Sequence, residues 1–174
     1  KLLGGPQAGV IVGRKDLVDK MKKHPLARAI RLDKMTIAAL EATLIEYLDP
    51  ENALKLNPTL RMITEDRSIV RERARRIGER IQAVAGGSAA VTVEDEVARV
   101  GGGSLPLAEI PSAVVAVRSN RSCAEVEEAL RCMEPAVIVR VKEEAILVDP
   151  RTVQPSEEGD LVQAFENVFS GGDA

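Results

Sequence analysis

The chain contains very few aromatic residues: among its 174 residues there are two Phe, one Tyr and no Trp. Proteins that bind single-stranded nucleic acid without sequence preference stack the bases on aromatic side chains, and this chain lacks the residues for such a surface. Its hydrophobic content of 45% is nevertheless ordinary. The composition therefore predicts a soluble globular protein of one or two small domains, whose core is built from Leu, Ile, Val, Ala and Met.

Other features that the sequence lacks exclude further classes of protein. The net charge of −3 gives no overall attraction to phosphate backbones, so a contact with RNA would need a local basic patch. Cys123 and Cys132 lie nine residues apart without a nearby His, which fits neither a zinc site nor a C-x-x-C redox motif. No apolar run approaches the roughly 20 residues of a membrane span, and no signal peptide is recognisable. The sequence predicts a cytoplasmic protein with two reduced, mostly packed thiols and no metal site.

The first part of the chain predicts a short strand and two helices. The strand is the apolar run from Gly9 to Val12, and the first helix is Lys15 to Lys23. The second helix begins near Asp33 or Thr36 and runs to Tyr47. Its apolar face carries Ile37, Leu40, Leu44 and Leu48. The segment from Pro50 to Pro58 is polar and predicts turns, and it is the best candidate for a domain boundary.

The second part predicts a small α+β domain with an antiparallel sheet and helices on one face. A long helix from Asp66 to Ala85 is expected to bury Ile69, Ala74, Ile77 and Ile81. Two further helices are predicted at Cys123–Met133 and Ser156–Phe169. Strands are predicted at Ala89–Glu94, Val97–Val100, Ser112–Val117, Ala136–Val141 and Ala145–Asp149, the last two forming a hairpin with a charged tip.

Two motifs in the first 34 residues could carry chemistry. The first is K-L-L-G-G-P-Q-A-G, residues 1–9, whose glycines permit the close backbone approach that a cofactor or subunit contact requires. A tight turn entering a strand explains them equally well. The second is H-P-L-A-R-A-I-R-L-D-K, residues 24–34. On one helical turn Arg28, Arg31 and Lys34 would share a face and could bind a multivalent anion; the alternative is a solvated basic face paired with Asp33 and nearby acids.

Together these motifs resemble bacterial selenocysteine synthase, the L-seryl-tRNA(Sec) selenium transferase family. The resemblance continues through L-E-A-T-L at 40–44, P-T-L-R-M at 58–62, G-G-G-S-L-P at 101–106 and D-P-R-T-V at 149–153. It implies an α/β fold of the PLP-dependent transferase class, aspartate aminotransferase fold type I, of which this chain would be the C-terminal part. A strand-rich cofactor-binding domain would then precede Lys1. Residues 1–57 would end that large domain, and residues 58–174 would form the small α+β domain.

The resemblance also implies the site and the reaction. Lys1 would carry pyridoxal 5'-phosphate as a Schiff base and afterwards move protons at the substrate α-carbon. Arg28 and Arg31 would bind the selenium donor, selenophosphate, and the substrate would be seryl-tRNA(Sec). The family assembles as homo-oligomers with active sites at subunit interfaces. This chain alone is expected to be inactive, because most of the cofactor pocket would lie before Lys1.

Two other functions remain open from the sequence. One is a related PLP enzyme that acts on a small amino acid or amino sugar; the other is a non-catalytic C-terminal domain with a role in assembly. Small-domain arginines in this fold type commonly bind a free substrate carboxylate, but seryl-tRNA has none, so Arg151 is expected to be structural or to contact the tRNA end. His24 is interpreted as a cap or surface residue. The Gly101–Gly103 loop could offer amides to an anion but is more typical of a loop between strands.

Overall fold

The computed structural model describes residues 2–101 and 105–170. These residues form two compact units. The first contains residues 2–64 with 100–101 and 105–106, and the second contains residues 65–99 and 107–170. The first unit is mainly helical, whereas the second combines helices with a sheet.

Local signals define the helices of the first unit. Its helices are α1 (Lys15–Lys23), α2 (Pro25–Ala29), α3 (Lys34–Glu46), α4 (Pro50–Leu56) and α5 (Pro58–Thr64). Proline is the first residue of α2, α4 and α5, where its missing N–H would have no helical partner anyway. The side chains of His24, Asp33 and Asp49 accept hydrogen bonds from backbone N–H groups at the starts of α2, α3 and α4. The predicted helices at α1 and α3 are confirmed, as is the role of His24 as a cap.

Two predictions for the first unit are wrong. Residues 9–12 form no strand, and the side chains of Val10, Ile11 and Val12 are exposed. A strand needs a partner for its backbone groups, and an apolar run of four residues does not reveal whether one is present. The segment after Pro50 was expected to form turns but contains α4, because Asp49 caps a helix that Pro50 can begin.

The second unit begins with a long helix and ends with another. Its elements are α6 (Arg67–Ala85), β1 (Ala89–Val100), β2 (Leu105–Ser119), α7 (Cys123–Arg131), β3 (Arg140–Lys142), β4 (Ala145–Val148) and α8 (Glu158–Ser170). Only residue 100 of β1 and residues 105–106 of β2 are grouped with the first unit. The predicted strands at 89–94 and 97–100 are one continuous strand, and β2 starts earlier than expected. The hairpin with a charged tip is confirmed, since Glu143 and Glu144 connect β3 to β4 with positive φ angles of 49° and 57°.

A four-stranded sheet of order β1-β2-β4-β3 organises the second unit. Strand β4 pairs antiparallel with both β2 and β3; Ile146 lies opposite Val117 on one side and Val141 on the other. Alternate residues of β2, including Val115 and Val117, join the core formed with α6, α7 and α8. The predicted small α+β domain with an antiparallel sheet is thereby confirmed. Within α6 the prediction for Ile69 is wrong: it is exposed, and Val70 takes the buried position.

A buried ion cluster connects α6 to α8. The Glu158 carboxylate accepts hydrogen bonds from Arg73 Nε at 3.2 Å and from the Arg76 guanidinium at 2.8–2.9 Å. Arg73 also donates to the Val153 carbonyl at 2.6 Å and pairs with Glu65 at 3.3 Å. This cluster was not predictable from the sequence, because Glu158 lies 85 and 82 residues from Arg73 and Arg76.

Candidate active-site segment and basic motif

The turn that follows Lys1 is held by side chains from much later in the chain. Lys1 itself lies outside the described residues. The Leu3 carbonyl accepts one hydrogen bond from Tyr47 Oη and one from Asn57 Nδ2, each at 2.9 Å. Both donors belong to the first unit, at the end of α3 and between α4 and α5. The backbone two residues after Lys1 is therefore fixed by tertiary contacts.

Gly4 and Gly5 allow this turn to pack closely against its own chain. Gly4 has a φ of +76°, and a Cβ there would lie 2.2 Å from Asn57 Oδ1. A Cβ on Gly5 would lie 2.7 Å from Thr43 Oγ1. Gly9, by contrast, has no heavy atom within 4 Å of the place its Cβ would take. Gly4 and Gly5 thus allow the turn to lie in close contact with other residues of the first unit.

The contacts of Tyr47 and Asn57 with the turn were not predicted from the sequence. Asn57 precedes a proline that begins a helix, and its Oδ1 accepts hydrogen bonds from the N–H groups of Thr59 and Leu60. That pattern is typical of a helix cap and could have been recognised. The contacts with Leu3 could not, since 44 and 54 residues separate it from its two donors.

Arg28 and Arg31 are exposed but do not share a helix. Arg28 lies on α2, which ends at Ala29; Arg31 lies in the connection, and Lys34 is the first residue of α3. The prediction of one helical face is therefore wrong, because the spacing of three spans a break between two helices. Arg28 and Arg31 therefore lie in one short segment but do not share a helical face.

The alternative pairing of this basic segment with Asp33 does not form. The Asp33 carboxylate accepts hydrogen bonds from the Thr36 hydroxyl and backbone N–H and from Met35 N, and these bonds lower the pKa of Asp33. Across residues 2–101 and 105–170, no hydrogen bond or ion pair joins Arg28 or Arg31 to another side chain. Both guanidiniums are thus available to an anion from solution.

Arg151 has a structural role. It is only 5% exposed, and its guanidinium donates to Ser112 Oγ at 3.2 Å and to the carbonyls of Pro111 and Glu65 at 3.0 and 2.9 Å. These bonds connect the sheet to the start of α6 within the second unit. The structural interpretation is confirmed, and the burial removes the guanidinium from a contact with tRNA.

The remaining predicted features carry less chemistry. Residues 102–104 of the glycine loop lie outside the described residues. Cys123 and Cys132 are free thiols, but Cys132 is exposed, so the expectation that both are packed is wrong. In the part of the chain that the structure describes, no group of three or more His, Cys, Asp or Glu could hold a metal ion. None of its helices is long and apolar enough to cross a membrane.

The apolar face of α3 is open within the first unit. Ile37 and Leu48 are 52% and 82% exposed, and with Leu40, Leu44 and Ile45 they line a shallow groove. Contiguous exposed aliphatic side chains on one helix are typical of a surface that another segment or protein covers. The predicted face is confirmed, but it packs against no core in this unit.

We expect the isolated chain to self-associate through this face. Changing Leu44 to Glu should shift the chain toward monomer, because a carboxylate in the contact would have to be desolvated. Met35→Glu is the matched control, since Met35 is 81% exposed on the opposite side of α3. Sedimentation velocity over a range of concentrations would measure both. Equal behaviour of the two variants would exclude this face as the contact.

Comparisons with known proteins agree with the motifs. The family model described as SelA, L-seryl-tRNA selenium transferase, matches residues 1–154. A protein of Moorella thermoacetica named L-seryl-tRNA(Sec) selenium transferase is 44% identical over 100% of this chain and 38% of its own length. Proteins of the same name from Alkaliphilus metalliredigens and Geotalea daltonii are 43% and 42% identical over 97% of this chain.

These similarities place the chain among proteins named as selenium transferases. It belongs to the L-seryl-tRNA selenium transferase family, as the sequence motifs indicated. The chain spans little more than a third of the length of these relatives, 36–38%.

Proposed function

We propose that this chain is part of a PLP-dependent enzyme that converts seryl-tRNA(Sec) to selenocysteinyl-tRNA(Sec) with selenophosphate as the selenium donor. The observation that carries the proposal is the family match over residues 1–154, together with relatives that align along 97–100% of the chain. We further propose aspartate aminotransferase fold type I and a homo-oligomer in the cytoplasm. The free thiols fit a reducing compartment, and the open face of α3 fits an assembly.

Within this proposal, residues 1–57 belong to the cofactor-binding large domain and residues 58–174 to the small domain. The presence of two compact units supports a division into two bodies, although the first unit extends to residue 64 and includes residues 100–101 and 105–106. The first unit buries very few side chains, as expected of part of a domain that packs against other parts of the full-length protein. The second has its own sheet and aliphatic core.

Lys1 would hold the cofactor. When bound, pyridoxal phosphate withdraws electrons from the substrate α-carbon. The donor chemistry of this segment fits the group, because Lys1 supplies a primary amine next to a turn whose Leu3 carbonyl is held by Tyr47 and Asn57. The Lys1 amine would also move a proton at the substrate α-carbon.

Arg28 and Arg31 would bind the phosphate of selenophosphate. Both guanidiniums are exposed and bind no other described side chain, and paired guanidiniums are well suited to phosphate oxygens. Their separate backbone settings, on α2 and in the connection to α3, would let them approach one anion from different directions.

In the full-length protein, changing Arg28 or Arg31 to Ala should weaken use of the selenium donor. We expect a loss of about 1.5–3 kcal/mol for a charge-assisted hydrogen bond, which corresponds to a roughly 10- to 150-fold rise in the KM for selenophosphate. The visible absorbance of the bound cofactor should not change. Arg14→Ala is the control, since Arg14 is exposed and already paired with Asp16. Loss of the cofactor spectrum in Arg31→Ala would show instead that this arginine shapes the cofactor site.

The function is tested by the conversion of labelled seryl-tRNA(Sec) on the full-length protein. Formation of selenocysteinyl-tRNA that requires both pyridoxal phosphate and selenophosphate would support the proposal. Turnover of a free amino acid or amino sugar, with none of the tRNA substrate, would favour the related PLP enzyme. The buried position of Arg151 argues against that alternative, since no carboxylate could reach its guanidinium without displacing Ser112 and two carbonyls.

A further inference from the structure

We propose that three lysines beside the arginine pair, Lys22, Lys23 and Lys34, bind phosphates at the acceptor end of the substrate tRNA. This inference rests on the proposed function, because it assumes that Arg28 and Arg31 hold the selenium donor and that the substrate is a tRNA. It goes beyond that function by assigning a contact surface for the RNA to side chains outside the donor site.

Positive charge is concentrated between residues 22 and 34. This segment contains five Lys and Arg residues and one acid, Asp33, in a chain whose net charge is −3. Lys22, Lys23 and Lys34 are exposed, as are both arginines. An acidic protein needs a local basic patch of this kind in order to attract a phosphate backbone.

The acids nearest to these lysines are already engaged. Within α1, Asp16 pairs with Arg14 at 2.8 Å and Asp19 pairs with Lys15 at 2.7 Å. The Asp33 carboxylate accepts its hydrogen bonds at the start of α3. In the part of the chain that the structure describes, none of the three lysines has an ion pair or a hydrogen bond through its side chain. Their charges are therefore available to a polyanion.

The stability of the helices does not account for all three lysines. Lys22 and Lys23 lie in the last turn of α1, where the helix dipole favours a cation. Lys34 is the first residue of α3, where the dipole disfavours a cation and where the lysine opposes the charge of the Asp33 cap. A cation at this position favours a contact with an anion over a role in the helix.

The lysines lie close to the proposed donor site along the backbone. Lys34 follows Arg31 by three residues, which span at most about 10 Å. Lys23 directly precedes His24, the cap of α2, and the backbone from Lys23 to Arg28 on that helix spans at most about 13 Å. Selenium has to reach the serine that is esterified to the tRNA, so the terminal nucleotides must approach the donor site. Their phosphates would then come within reach of the cations beside it.

These side chains suit the phosphate backbone rather than the bases. A lysine ammonium binds a phosphate as a point charge, and phosphate contacts carry no sequence information. Base stacking needs aromatic side chains, and residues 22–34 include none. An anionic membrane would attract the same lysines, but the meeting of the two substrates requires RNA phosphates here. The surface would thus add affinity for the acceptor end without selecting among tRNAs.

The test is the salt dependence of tRNA binding by the full-length protein and by a Gln variant, in which Lys22, Lys23 and Lys34 are each changed to Gln. The probe is uncharged tRNA(Sec) transcript, titrated in filter-binding assays between about 50 and 200 mM salt. Three phosphate contacts on a single strand contribute about 2 to the slope of log affinity against log salt. We therefore expect the affinity lost over this range to be about 20-fold smaller in the Gln variant than in the wild type. The KM for selenophosphate should change far less than in Arg28→Ala.

Two control variants separate this surface from the effect of total charge. One changes the same three lysines to Arg, which keeps the charge, and should retain the wild-type salt dependence. The other removes three exposed cations outside the segment and should also retain it; these are Lys15, Lys55 and Arg80, each changed to Gln.

A shortened transcript identifies the part of the RNA that the lysines contact. Removal of the 3'-terminal nucleotides should weaken binding to the wild-type protein. With the shortened transcript the Gln variant should show little further loss, because the two changes remove the same contacts.

The outcomes are distinguishable. Equal salt dependence in the wild type and the Gln variant would overturn the inference alone, as would an equal reduction in the control that lacks Lys15, Lys55 and Arg80. Unchanged tRNA affinity in the Gln variant, with lost binding to phosphatidylserine vesicles, would overturn it in favour of a membrane surface. A full-length protein that neither binds nor converts seryl-tRNA(Sec) would overturn the proposed function, and the inference with it.

Discussion

Replacing Lys1 with Ala in the full-length protein should abolish the conversion of seryl-tRNA(Sec). We expect a rate loss of roughly 10³-fold or more, the size seen when a residue that makes the covalent bond in catalysis is removed. Without the Lys1 amine, the cofactor loses its specific covalent attachment, because the other lysines of this segment can form only non-specific imine. Single-turnover assays with labelled aminoacyl-tRNA would measure the loss.

The control for this variant is Lys20→Ala. Lys20 is an exposed lysine of α1 in the same unit, and its amine can form only non-specific imine with pyridoxal phosphate. Lys20→Ala should convert the substrate at the wild-type rate and should retain stoichiometric cofactor on Lys1 after borohydride treatment. A Lys1→Ala enzyme that retained activity within tenfold of wild type would exclude Lys1 as the catalytic lysine.

Changing Glu158 to Gln should strongly destabilise the second unit. Removing one partner of a buried ion pair costs about 3–5 kcal/mol, because the other charge stays buried. We expect the lower end of this range, since Arg73 would keep its bonds to Glu65 and to the Val153 carbonyl. Urea denaturation of the chain, followed by circular dichroism, would measure the change. Glu72→Gln is the control; Glu72 pairs with Arg75 on the exposed side of α6 and should matter little.

The same carboxylate predicts a pH dependence. Burial by itself raises the pKa of Glu158, but hydrogen bonds from Arg76 and Arg73 outweigh it and hold the pKa below its ordinary value of 4.5. The folded state therefore binds this proton more weakly than the unfolded state. The stabilisation is fully present above pH 4.5 and is lost as the pH falls through the lowered pKa. Glu158→Gln should remove this part of the acid dependence; an unchanged profile would contradict the assignment.

Elements defined by local signals were predictable from the sequence. Helix α3 could be placed because Asp33 provides its cap, and α6 because its apolar residues recur at helical spacing. The basic motif shows how two local signals can conflict. The spacing of Arg28, Arg31 and Lys34 favoured one helix, but the cap at Asp33 already indicated that a new helix starts there.

Contacts between distant residues were not predictable. No local pattern reveals that Tyr47 and Asn57 share the Leu3 carbonyl, or that Glu158 binds two arginines of α6. The failed strand at 9–12 has the same cause, since pairing depends on a partner elsewhere. The family and its lysine motif were recognisable because the motif consists of consecutive residues. The surface that contacts the motif is formed by residues that are distant in the sequence and meet only on folding.

The sparse burial of the first unit has a consequence for calorimetry. Among residues 2–64 only Ala53 and Asn57 are buried. The heat-capacity increase on unfolding comes from apolar surface that becomes newly hydrated, and in this segment most such surface already faces water. The heat-capacity increase on unfolding the isolated chain would therefore come almost entirely from the second unit, and unfolding of the segment that follows Lys1 would add little to it.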